Sequence, residues 1–432
     1  MTTVAQVAET MQDLLTTTAD RLGRETGFIQ RERKWSGGTF ARTLVFGWMG
    51  DPAASLSELS QAAANIEVEV SRQALAQRFS EQAARFMQAL LEAVVEARVA
   101  GPPVEVDLLG QFSGVYLVDS TCLALLKALQ AVWPGCGGSQ GDTACLKISV
   151  LWEMVRGSLS EVELLAGKTH DQRAAGAQHG LPKGSLRLAD LGYFKLKELA
   201  RLDQEDVYWV SRYKNGTALF VQGARIDLFA YLLAAEGALV TCPVEVGVRQ
   251  RLPVRLVAAR VTAATLQRRQ AHLAEWERKK QCRASVQTGA LLAWDIYLTN
   301  VPSPLLADQD VLVIARYRWQ IELLFKLWKS EGLLDEWRTH HPWRVLCEIY
   351  AKLIALLFQH WMLVLGTWHR LDRSPIQALR TTRHFAWQFA RELTNRPAFC
   401  RTFQRLLLCL KTCHIGKSKA SPRTFQRLEA LN

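Results

Sequence analysis

The chain has 432 residues, of which 49% are hydrophobic, and carries a formal net charge of +12. That length exceeds one ordinary domain and suggests two or three, with enough apolar residues for a sizeable core. The basic excess says nothing about fold but favours an anionic partner, either nucleic acid or a membrane surface.

The opening run from Met1 to Leu15 lacks a basic segment followed by an apolar one, so it does not read as a signal peptide. Residues 1–100 read as helical. Ser55-Leu56-Ser57-Glu58 has the form of a capping box ahead of a helix from Leu56 to about Ala64. After a break, Ser71 can cap a second helix from Arg72 to about Phe79. Two short helices around a tight break fit a helix-turn-helix, with Arg72, Gln73 and Gln77 near the exposed start of a DNA-recognition helix. An ordinary helical bundle with a polar surface fits the same pattern.

Residues 101–215 change character. Val115-Tyr-Leu-Val118 is a short apolar run followed by Asp119. Cys145–Val155 and Glu161–Ala166 are strand candidates joined as a hairpin near Gly157. Leu186–Ala189 is a fourth strand, again followed by an acid, Asp190, and Val207–Tyr213 a fifth, with a helix from Phe194 to Leu202 between them. The glycine-rich segment from Pro134 to Gly141 lacks the Lys-Ser/Thr of a phosphate loop and reads as a connection. Acids at strand ends are turn residues, helix caps or working groups.

Residues 216–300 look like a β-rich insertion with strands at Val254–Val261 and Leu291–Leu298. Between Arg249 and Arg283 there are ten Lys or Arg against two Glu, and from His369 to the end thirteen against three Asp or Glu. Those two blocks together exceed the net charge of the whole chain, so the remainder is acidic on balance. Such clustering fits a nucleic-acid footprint, or a solvated charged face. The apolar stretch from Val345 to Gly366 carries Glu348, Lys352, Gln359 and His360, which suits a core helix better than a membrane span. Nine cysteines without a Cys-x-x-Cys pair argue against a disulfide framework or structural zinc, and fit reduced thiols in a cytosolic protein.

The segment from Ala315 to Lys329 reads as one helix. At about 100° per residue, Glu322 lies about 40° from Arg318 and Lys329 about 20°, so the three share a stripe. Trp319, Leu323, Leu324, Leu327 and Trp328 are apolar and cover much of the rest. The stripe fits surface ion pairing or a site. Three carboxylates suit two hard cations, Mg²⁺ or Mn²⁺, and two such ions about 4 Å apart support in-line phosphoryl transfer.

Val118-Asp-Ser-Thr121, Ser185-Leu-Arg-Leu-Ala-Asp-Leu-Gly-Tyr-Phe194 and Tyr317-Arg-Trp-Gln-Ile-Glu-Leu-Leu-Phe-Lys-Leu-Trp-Lys329 resemble the DDE transposases of bacterial insertion sequences. In particular they resemble insertion-sequence family four, the group with a Tyr/Arg/Glu/Lys signature. The resemblance implies an α/β fold: a ribonuclease-H-like catalytic core split over residues 101–215 and 301–366. It also implies a mostly β insertion at 216–300, helical DNA-binding residues 1–100 and a basic helical C-terminal region at 367–432. It implies Asp119, Asp190 and Glu322 as catalytic metal ligands for two Mg²⁺ or Mn²⁺ ions, and Arg318 and Lys329 as DNA contacts. Ala315 stands where the family has its tyrosine. Tyr317, beside Arg318, projects about 100° away and is carried as a candidate DNA contact. Trp294 is carried either as the tryptophan that receives a base flipped from DNA or as a core strand residue. The implied partner is double-stranded DNA, element ends and target, bound by a homodimer. Competing readings are a catalytically inactive DNA-binding derivative and a metal-dependent nuclease.

Overall fold

Apolar runs separated by turn residues become strands where the sequence places them. A computed structural model of the chain describes residues 2–31, 34–136, 143–370 and 372–415. Of the expected glycine-rich connection, residues 137–141 lie outside the described residues, as do 416–432 of the basic C-terminal region.

The fold is mixed α/β. Its strands are β1 (Val115–Leu125), β2 (Ala144–Glu153), β3 (Leu159–Ala166), β4 (Leu186–Ala189), β5 (Tyr208–Arg212), β6 (Leu219–Val221), β7 (Ala224–Ile226), β8 (Leu239–Val246), β9 (Leu252–Arg260) and β10 (Trp294–Thr299). They are ordered β3-β2-β1-β4-β5-β10-β9-β8-β6-β7. The chain divides into two compact units, and the division falls within β1, between Asp119 and Ser120.

The first unit takes the described residues up to Glu105, Ser120–Gly176 and those from Gln320 to Ile415. Its core is the helix Pro342–Gly366, against which Gly37–Gly50 and Glu81–Glu96 pack. Length and composition would let this helix cross a membrane, but 89% of its apolar window is buried inside the protein. Its most deeply buried polar side chains have partners. Glu348 and Lys352 pair at 2.8 Å, and Lys352 Nζ also donates to the Leu333 and Glu336 carbonyls at 2.9 and 2.8 Å. Gln359 donates to Thr382 Oγ1 at 2.7 Å. His360 Nε2 donates to the Gly157 carbonyl at 2.7 Å, and burial pulls the imidazole pKa down to about 4. Burying charge or amide in an apolar core is tolerated only with such partners. β2 and β3 form the expected antiparallel hairpin, and Gly157 takes a φ of 74° beyond its first strand, a conformation that favours glycine.

The helices Leu56–Ala64 and Arg72–Ala76 carry their expected caps, Ser55 and Ser71. The second is shorter than expected, ending at Ala76 rather than near Phe79. Ser80, extended at φ −116° and ψ 174°, caps the next helix, Glu81–Glu96, and so interrupts the run.

The second unit takes Val106–Asp119 and Ala177–Trp319. Here β1 pairs parallel with β4, and β4 parallel with β5. The helix Leu196–Gln204 supplies the crossover that two parallel strands require. β10 runs antiparallel to both β5 and β9. The insertion is less purely β than expected. Its basic middle forms an 18-residue helix, Ala263–Lys280, with no buried residue. Nothing in that stretch offers an apolar face to a sheet, so local helix propensity decides.

Candidate active site

Two acids of the second unit each follow a residue of the same registered strand pair. The last parallel pair between β1 and β4 is Val118 with Ala189, so Asp119 and Asp190 are the next residues along neighbouring strands. Neighbouring strands lie about 4.8 Å apart, and residues one step beyond a register pair share a face. The expectation that Asp119 ends its strand is corrected: β1 continues to Leu125. Ser120-Thr121-Cys122-Leu123 still suits a strand, so the chain stays extended past the acid.

Asp119 is largely covered, its side chain 20% exposed, and Arg318 Nη1 lies 3.4 Å from its Oδ2. Asp190 is exposed. Its backbone begins the short turn Leu191–Tyr193, but its carboxylate makes no capping bond to it. Helix capping therefore does not account for this acid.

The single helix expected from Ala315 to Lys329 is two: Asp308–Tyr317 and Trp319–Ser330. Arg318 stands between them with helical dihedrals, φ −48° and ψ −32°. Glu322 is half-buried in the first turn of the second helix, flanked by the buried Ile321, Leu324, Phe325 and Trp328. The apolar cover is thinner than the composition suggests, since Trp319 and Leu323 are 52% and 44% exposed. Lys329 Nζ donates to the Cys122 carbonyl at 3.0 Å, within the first unit, which ties the last turn of this helix to the later part of β1. Among the described residues, no three His, Cys, Asp or Glu side chains are gathered tightly enough to hold a metal ion as they stand.

Of the remaining sequence candidates, Tyr317 is buried at 5% exposure. Trp294 opens β10 at 8% exposure, with the Arg260 guanidinium 4.7 Å over its ring. Arg72, Gln73 and Gln77 are exposed at the short Ser71-capped helix.

One cluster escaped the sequence reading. Ser120, which follows Asp119 in the chain, donates to Asp171 Oδ1 at 2.8 Å. Lys147, buried on β2, donates to the same oxygen at 2.9 Å and to the Thr169 carbonyl at 2.5 Å. Burial works to raise the Asp171 pKa, but the bonds from Lys147 and Ser120 outweigh it and hold the carboxyl below its ordinary value. Residues this far apart in sequence leave no spacing signal.

Residues 110–358, more than half the chain, match the transposase DDE domain, and the chain belongs to that family of DNA-cutting and DNA-joining enzymes. Similar proteins include the transposase for insertion sequence element IS231F of Bacillus thuringiensis subsp. israelensis, 29% identical over 361 residues, covering 78% of this chain and 75% of the relative. The transposase for element IS231D of Bacillus thuringiensis subsp. finitimus is 28% identical over 424 residues, covering 91% and 88%. The transposase for element IS1151 of Clostridium perfringens is 26% identical over 363 residues, covering 78% and 76%.

Proposed function

We propose that this transposase performs cut-and-paste transposition of an insertion sequence, with Asp119, Asp190 and Glu322 as the carboxylates that hold two Mg²⁺ or Mn²⁺ ions. The observation that supports this reading is the register of β1 and β4, whose last pair, Val118 with Ala189, comes immediately before Asp119 and Asp190. Glu322 joins them on its match to the third family motif. The donor set fits hard divalent cations, because it is all carboxylate oxygen. When bound, such ions activate an attacking oxygen and offset charge on the leaving one.

A ribonuclease-H-like core is supported by the order β3-β2-β1-β4-β5, with β2 and β3 antiparallel and β1, β4 and β5 parallel. Membership of insertion-sequence family four is supported by Arg318, Glu322 and Lys329 at the signature spacing.

The chain's own residues divide the work. Arg318 and Lys329 hold backbone phosphates beside the scissile bond, neutralising charge and fixing register. The exposed Arg72, Gln73 and Gln77 read the element's end. Water opens one strand, breaking a P–O bond and freeing a 3′-hydroxyl. That hydroxyl attacks the opposite strand and leaves a hairpin, which a second water reopens. The same 3′-hydroxyl then attacks target DNA and displaces a target 3′-oxygen. Two ends are paired by a homodimer.

The test is direct. Purified protein is incubated with Mg²⁺ and duplex DNA carrying the ends of its element, and products are resolved on denaturing gels. A nick at the element boundary followed by a hairpin supports the scheme. Binding without any cleavage contradicts it.

A further inference from the structure

The helix Ala263–Lys280 is unusual in this protein: over 18 residues it buries none. Arg268, His272, Trp276 and Lys280 follow one another at intervals of four, and all are exposed, Trp276 at 47%. Each step of four turns the direction by about 40°, so they form a slowly winding stripe about 18 Å long. That length spans roughly five base pairs of duplex.

The helix's two acids are already engaged. Glu275 pairs with Lys279 at 2.7 Å, and the Glu277 carboxylate accepts the Ala284 backbone N–H at 2.7 Å, tying off the following loop. The Arg268 guanidinium rests on its own helix, donating to the Ala264 carbonyl at 3.3 Å and Thr265 Oγ1 at 3.2 Å, and remains exposed. Exposed Arg278 adds to the positive end.

The root of the helix is fixed. Arg269 donates to Asp295 Oδ1 at 2.6 Å and to the Leu292 and Trp294 carbonyls at 3.1 Å each. These acceptors lie at the start of β10, whose partner β5 pairs in turn with β4. The stripe therefore has a set place in the unit that carries Asp119 and Asp190.

A solvated helix needs no tryptophan, and an isolated cation row needs no fixed root. We propose that this helix is a docking arm for duplex DNA, with Arg268 and Lys280 on phosphates and Trp276 packed against the sugar between them. The inference rests on the reading of the chain as a transposase acting on DNA, and the charge is complementary to that partner.

Because none of these side chains is buried, their removal leaves the core intact. The experiment uses the full chain and a labelled duplex carrying the element end, with affinity measured across a salt series. Arg268→Ala combined with Lys280→Ala lowers the slope of log affinity against log salt by roughly 2. Trp276→Ala weakens binding about five-fold at unchanged slope. Melting temperature stays put in both. A double variant with the unaltered protein's slope and affinity overturns the arm. So does a variant whose only change is loss of self-association in sedimentation, which would assign the stripe to a second copy. Mg²⁺-dependent cleavage by the unaltered protein separates the two failures. If that protein binds and cuts while the double variant matches it, only the arm falls; if it neither binds nor cuts, the functional reading falls with it.

Discussion

Arg318 lies 3.4 Å from the carboxylate of Asp119, so the signature cation is already paired with the first acid of the proposed centre. Both groups are mostly covered, with side-chain exposures of 22% and 20%. An ion pair there must part when a metal takes the carboxylate, leaving the guanidinium to a phosphate. Arg318→Ala therefore tightens Mn²⁺ binding in calorimetry, because a competing cation is gone. It also flattens the log-affinity versus log-salt slope for DNA by about 1. Unchanged Mn²⁺ affinity and slope would show that Arg318 is only a structural partner.

The residue after Asp119 is held independently. Ser120 and Lys147 converge on Asp171 at 2.8 and 2.9 Å, fixing β1 immediately past the acid. Misplacing a reacting group by about 1 Å costs up to about a hundredfold in rate. Asp171→Asn should slow nicking about tenfold or more while shifting stability only on the order of 1 kcal/mol, since Asp171 is partly exposed. Nicking rates read beside thermal melts decide it. A rate within about twofold of the unaltered protein would deny the cluster any positioning role.

His360 gives the first unit a dependence on acid. The imidazole is fully covered, with a folded pKa of about 4 against an ordinary value of 6.5. Between those values the unfolded chain binds the extra proton, so stability falls as pH drops from 6.5 towards 4, by up to roughly 3 kcal/mol. Above 6.5 both states are neutral and the contribution is constant. His360→Gln removes the titration, so its melting temperature should fall less over that window. Parallel profiles for the two proteins would contradict this.

Trp294 lies at 8% exposure beneath the Arg260 guanidinium. Truncating a buried tryptophan costs roughly 3–5 kcal/mol. Trp294→Ala should melt early and lose nicking and later steps together. Normal melting with a defect confined to hairpin formation or opening would place the ring on DNA instead.

How much of this was legible in the sequence depends on what each segment buries. Val115–Val118 and Leu186–Ala189, the second apolar apart from the buried Arg187, are short runs because a parallel strand has both faces covered, and both are readable. The continuation of β1 past Asp119 was not, because Ser120-Thr121-Cys122 has no apolar run to mark it. The Ala263–Lys280 helix gave no period because it has no buried face to create one. Trp319 and Leu323 look like cover in the sequence, and their exposure of 52% and 44% shows that an apolar residue can lie outside the core. The three motifs that carry the acids were plain. The Ser120–Asp171–Lys147 cluster was invisible, since only the sheet brings those residues together.

The central claim is that Asp119, Asp190 and Glu322 serve the chemistry and not the grip on DNA. The most direct measurement takes Asp119→Ala, Asp190→Ala and Glu322→Ala in turn and follows Mg²⁺-dependent nicking at the element end beside binding to the same duplex. Affinity comes mainly from basic contacts, so binding should persist while nicking disappears in all three. Nicking at near the unaltered rate by any one of them would contradict the assignment of that acid.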